Sequence, residues 1–246
     1  MKQIAALPAY LLGHHGPDEL FDASDAKDRS EFSRGRQFLA QDPEQAIRLI
    51  TYGRWACLPF GLIGLLVSMQ WVYELYGRLA GYLAAALWIA SPTVLGHMPL
   101  ITADGAATSF GLLASYAFWH FLRDSTWLNT WFVGFALGIC LLTKTFWIIL
   151  FVLWPVMLIC WLVSNGRGEI PGLTRAQTWL KVWSRLAAVM GLGLATLNLG
   201  YAFSDVGMPL GDFKFHSFTL SGQPLERLTS GNRFQNSLIP FYSPSP

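Results

Sequence analysis

Charge is what this sequence has least of. Of its 246 residues only 13% are Asp, Glu, Lys or Arg, against 53% that are apolar. Soluble domains carry about 25% charged residues, so a water-exposed globule is excluded. The formal net charge is +2 and no Lys/Arg run exists, which leaves nucleic acid without an electrostatic footprint. Cysteine is scarce as well: Cys57, Cys140 and Cys160 sit inside apolar runs, without CxxC or Cys/His spacing. They read as buried free thiols, and that spacing argues against a zinc site. No internal repeat is found, nor any small-residue cleavage site after the opening MKQIAALPAYLL. That run is too short to span a bilayer and a poor leader, so a short amphipathic interfacial helix is expected there.

The charges that are present are unevenly placed, 15 of the 32 falling in the first 54 residues. A polar arm is followed by apolar segments at about 53–74, 79–97, 104–122, 128–143, 145–164 and 185–203. At ~1.5 Å per residue a run of ~20 residues crosses the ~30 Å hydrocarbon core, and backbone facing lipid must be helical. The fold expected is all-α: a polytopic transmembrane helical bundle of about six spans. Its domains would be an outer-face arm with short amphipathic helices over 1–52, the membrane bundle over 53–203 and an outer-face tail over 204–246. In the arm, Phe38, Leu39, Ala46, Ile47 and Ile50 recur at near-helical spacing.

Loop charge sets the orientation. The loops after the first, third and fifth segments carry Arg78, Arg123, Arg167, Arg175, Lys181 and Arg185, whereas the intervening short loops carry Lys144. The positive-inside rule places the first set in the cytoplasm. The turn before Asp104, the turn at Lys144, the arm and the tail are then all outside. An outer arm needs something upstream to export it, so a preceding span is expected and the chain reads as a fragment.

Asp104 opens a helix at the outer boundary, where an acid complements the positive dipole end and Thr102 competes as cap. Its functional alternative is a carboxylate that binds a cation or positions a polar acceptor, ionisable residues at membrane depth being functional candidates. His97, across the same turn, is an auxiliary candidate or a solvated turn residue. Lys144 is either a snorkelling helix-end lysine or a point charge for a lipid phosphate. Arg54, at the entry of the first span, serves a phosphate or anchors its helix. Pro17-Asp18-Glu19 pairs two carboxylates suited to acid/base work, but in a mixed-charge run that reads as solvated loop. Gly134 and Gly138 form a GxxxG, which in a membrane helix means close packing. Trp71, Trp119, Trp127, Trp131 and Trp183 fall near span ends, as interface belts do.

The run from Gly77 to Asp124, with its Ser91-Pro92 and Thr102-Ala103-Asp104, and then the Gly-rich helix ending in Leu142-Thr143-Lys144, resemble the lipid-carrier-dependent glycosyltransferases. These are the protein O-mannosyltransferase and aminoarabinose-transferase superfamily, with a multi-helix membrane fold. The likeness covers roughly residues 1–163, Lys2 to Pro8 included. It implies transfer of a sugar from a polyprenyl-phosphate donor to an acceptor on the outer face of a bacterial inner or plasma membrane. It implies Lys144 and Arg54 near the donor phosphate, and Asp104 as a catalytic position that some members associate with a metal, so a divalent cation is the cofactor to test. Partners are the lipid-linked donor and membrane lipids, not nucleic acid. The family's main catalytic acid precedes a His-Pro-Pro-Leu motif that would lie upstream of this chain. Asp18-Glu19 falls on the wrong side of Lys2–Pro8 to replace it, so the chain alone is expected to be inactive. The alternatives are a membrane transporter or scaffold component, disfavoured by the missing repeat, or a degenerate gene product.

Overall fold

The computed structural model describes residues 2–13, 35–36, 38–40, 42–164, 175–204, 206–212 and 232–234. Among these residues the chain is all-α, with two short 3-10 segments and no strand. Pro17-Asp18-Glu19 and Arg167 lie outside the described residues. Two compact units are formed: Met1–Ala6 with Arg54–Gly200, and Leu7–Gly53 with Tyr201–Pro246.

In the second unit, Asp42 begins α2 (Pro43–Trp55) by accepting the Gln45 N–H at 3.0 Å. Asn232 Nδ2 donates to the carbonyls of Leu210 and Gly211 at 2.7 and 2.9 Å. Near the N-terminus, residues 2–11 form a helix, α1 (Lys2–Leu11), as the opening run led one to expect.

The first unit is the helical bundle. Its elements are α3 (Leu58–Tyr76), α4 (Arg78–Ala90), α5 (Pro92–His97), α6 (Ala103–Arg123), α7 (Trp127–Thr143), a 3-10 turn (Thr145–Ile149), α8 (Leu150–Ser164) and α9 (Arg175–Gly200). Every apolar segment of the sequence falls on helix, but three boundaries move. Pro59 lacks the N–H that would bond the Trp55 carbonyl, so the first segment is interrupted at Ala56–Cys57 and α3 begins at Leu58. The second, 79–97, is two helices: Ser91, ahead of Pro92, is extended and its Oγ accepts from Val94 N at 3.5 Å to start α5. The sixth begins at Arg175 rather than 185, because Thr178 and Val182 already face inward. Gly77, at φ 90°, passes α3 directly into α4, a left-handed backbone that glycine adopts without a Cβ penalty.

Among the described residues three helical stretches are long and apolar enough to cross a membrane (Pro43–Tyr76, with its turn at Ala56–Cys57, Thr145–Ser164 and Ala176–Gly200), and Arg78–Ala90 and Trp127–Thr143 are shorter apolar helices. At 21 residues α6 is also long enough, about 31 Å. Asp104, His120 and Arg123 dilute its apolarity. The chain is an all-α membrane bundle.

Packing runs α4–α3–α6–α7–α9, so α6 is central and its two ends carry the polar groups. The tightest seam is between α7 and α9, where the GxxxG glycines lie. A Cβ on Gly134 would stand 2.6 Å from Leu192 Cβ, and one on Gly138 would stand 2.9 Å from the Gly193 carbonyl oxygen as well as inside Thr196. The motif therefore packs helices, as its spacing implied. Gly138→Ala is expected to lower stability by about 1–3 kcal/mol through overpacking, seen as a drop in unfolding temperature in detergent. Gly191→Ala, which meets nothing, should be neutral or slightly stabilising.

Candidate functional site

The N-terminus of α6 and the C-terminus of α7 meet at one end of the bundle because the two helices pack antiparallel. Thr102 holds the N-cap position, extended at φ −115°, yet its side chain caps nothing. Its hydroxyl is buried and has no partner among the described residues. Asp104 follows as the second helical residue and is also free of capping duty. Lys144 ends α7 in an extended conformation, φ −159°, which throws its side chain off the helix. Its ammonium donates to Asp104 Oδ1 at 2.8 Å, with both side chains about half exposed, 51% and 54%.

Two contacts fix the backbone around this pair. Trp147, in the 3-10 turn just after Lys144, packs against Gly111, where any Cβ would collide with the indole. Met98, from the turn before α6, fills the space over Gly105 and Gly61, its Sδ within 3.0 and 3.3 Å of where their Cβ atoms would be. Both glycines permit close approach, so the turn and the lysine are held against the same helix.

Asp104 is exposed in the first turn of α6, at the end of the helix. The Lys144 hydrogen bond, then the Lys144 charge, hold its carboxyl below the ordinary carboxylate range, and His97 adds a smaller pull the same way. A depressed folded pKa means that the pair is intact above the ordinary value of 3.8 and is lost as pH falls through the lower folded value. Any transfer activity should therefore show no Asp104 titration between about pH 5 and 8. An acid limb in that window that disappears in Asp104→Asn would contradict this.

Of the sequence candidates, Asp104 and Lys144 are brought together and His97 lies within electrostatic reach. Arg54 closes α2 and forms no ion pair with either among the described residues. No group of three or more His, Cys, Asp or Glu that could hold a metal occurs among the described residues, and Asp104 is already engaged by an ammonium. That donor set does not fit a divalent cation.

Sequence reasoning missed a second polar cluster at the other end of α6. Glu74 accepts from the Tyr116 hydroxyl at 2.6 Å and from Gln70 Nε2 at 2.7 Å, and His120 Nε2 stands 3.2 Å from its other oxygen. An acid within an apolar helix facing Tyr and His one turn apart is a readable signal. It ties α3 to α6. Glu74→Ala should cost about 1–3 kcal/mol by stranding those donors, with Glu74→Gln recovering part of it in the same thermal melt.

The family model of dolichyl-phosphate-mannose-protein mannosyltransferase matches residues 30–202. That is more than half of the chain. The chain belongs to this family. Membership makes it a membrane glycosyltransferase, and it extends the sequence resemblance past residue 163 through α9 while leaving out Lys2–Pro8. No curated protein and no solved structure is significantly similar to it.

Proposed function

We propose that the chain takes a sugar from a polyprenyl-phosphate carrier, mannose from dolichyl phosphate being the first candidate, to a hydroxyl acceptor on the outer face. The observation that carries the reading is the Lys144–Asp104 pair at the end of the bundle, 2.8 Å long and inside the matched residues. In the reaction the acceptor oxygen attacks the anomeric carbon, the bond to the lipid phosphate breaks, and the acceptor proton leaves to a carboxylate base. Lys144 turns its ammonium to the departing phosphate and neutralises the charge that develops there. Asp104, kept ionised, holds Lys144 in place and has its second oxygen open towards the acceptor. Arg54 and His97 serve as auxiliary cation and donor.

The charge of the loops supports the outward orientation, because Arg78, Arg123, Lys181 and Arg185 all belong to the opposite end. A membrane-impermeant maleimide should label Thr145→Cys in intact cells and Asp124→Cys only after permeabilisation. The reverse pattern would turn the site inward. The reading is tested in proteoliposomes with radiolabelled dolichyl-phosphate mannose: the chain alone should bind it saturably, and transfer to a Ser/Thr-rich peptide is measured on a form that also carries the family's upstream catalytic acid. Label on the peptide supports the reading. Hydrolysis or retention on lipid alone, together with no saturable binding of dolichyl phosphate, would reject it.

A further inference from the structure

The end of the bundle opposite Asp104–Lys144 contains an open cavity of about 470 Å³, within the range of ligand-binding clefts. It is formed where α6 ends, α7 begins, α8 ends and α9 begins, and its lining includes Arg123, Lys181 and Arg185 with Trp127, Trp161 and Asp124. The length of α6, about 31 Å, separates it from the Lys144 pair.

Its charge is unbalanced. Among the described residues three cations face one carboxylate, and none of the three forms an ion pair. Lys181 and Arg185 are one turn apart on α9, where like charges repel. The guanidinium of Arg185 instead lies over the Trp127 ring, 5.4 Å from its centroid, and that of Arg123 over Trp119 at 4.6 Å. A guanidinium held by an aromatic face rather than by a carboxylate keeps N–H donors for phosphate oxygens. Capped by the Thr126 side chain, the start of α7 adds its positive dipole end to the same cavity. Trp127 and Trp161 are amphipathic rings of the kind that settle at headgroup level. Topology alone asks only for basic residues in the loops. It does not ask for three of them to line one cavity with a single carboxylate, Asp124, among the described lining residues.

We propose that this cavity binds a phosphate-bearing anion, the headgroup of an acidic phospholipid, through Arg123, Lys181 and Arg185. A lipid phosphodiester and a free phosphate ester share the chemistry, and the cavity's place at the membrane boundary favours the lipid. The site does not depend on the transfer reading, since it lies at the other end of the bundle.

The test is native mass spectrometry of the whole chain released from nanodiscs of phosphatidylcholine with a minor fraction of phosphatidylglycerol. Wild type should retain phosphatidylglycerol at least 10-fold above its share of the bilayer. Lys181→Ala/Arg185→Ala should bring retention to within 2-fold of that share. Lys181→Arg should keep the enrichment, which separates charge from folding, and so should Arg78→Ala, a cation of the α3–α4 turn outside the cavity. A second arm titrates glycerol 1-phosphate and inorganic phosphate into the protein in neutral detergent. Saturable binding there, lost in the double variant, with no lipid preference in the first arm, assigns the same phosphate site to a soluble ester. Equal retention of both lipids with no phosphate binding, or enrichment unchanged in the double variant, overturns the proposal.

Discussion

Lys144→Ala is expected to reduce sugar transfer about 100-fold, the usual effect of removing one preorganised group from a developing anion. The loss should fall mainly on turnover, because the phosphate gains charge as the bond to the sugar breaks. Lys144→Arg should recover a fraction only. The ammonium acts as a point charge on a flexible stem, and the planar guanidinium does not reproduce it. Asp104→Asn should also slow transfer, by a smaller factor, since it releases Lys144 from its 2.8 Å bond without removing the cation. Neither change should move the unfolding temperature measurably, because an ion pair half exposed on both sides is screened by water. That separation is what makes the measurement decisive. Transfer above half of wild type in Lys144→Ala, with the protein folded, would return Lys144 to a snorkelling helix end and Asp104 to a residue of the first turn.

What was legible in the sequence differs between fold and site. Scarce charge and repeated apolar segments led directly to an all-α membrane bundle, since lipid leaves helices as the only solution for these lengths. Boundaries were misread where a single residue overrides periodicity. Pro59 breaks a helical run that hydropathy reads straight through, and Ser91-Pro92 divides another. The early start of α9 at Arg175 was hidden because its first turns are amphipathic, so they look polar by average while Thr178 and Val182 are buried. Asp104 and Lys144 were found individually from their place at helix ends. Their contact spans 40 residues of sequence and depends on Gly105 and Gly111 letting Met98 and Trp147 press against α6, which no local pattern encodes. The Glu74–Tyr116–His120 cluster shows the opposite failure. Its residue types were in view, but an acid at the end of an apolar run was not singled out, and its contacts with Tyr116 and His120 lie more than 40 residues away in sequence.

The largest stability effect is expected at Trp154, far from either polar end. Its indole is 1% exposed and stacks on Phe118 with centroids 4.5 Å apart and planes 1° from parallel. In a membrane the solvent around the bundle is as apolar as the core, so burial of the ring contributes little and close packing contributes most. Trp154→Ala removes the largest fully buried side chain among the described residues and leaves a void in the cluster it shares with Phe118, Leu158 and Leu186, all buried themselves. A loss of about 3–5 kcal/mol is expected, read as a large fall in unfolding temperature in detergent. Trp154→Phe keeps a stacked ring and should lose much less. Leu153→Ala, at a position 45% exposed on the outer side of α8, should lose least. Because Trp154 lies in the apolar cluster and not among the polar groups at Asp104–Lys144, transfer per folded molecule at low temperature should stay within about 2-fold of wild type. A proportionate fall in turnover for the folded fraction would instead mean that α8 positions the Thr145–Ile149 turn, and through Trp147 the lysine itself.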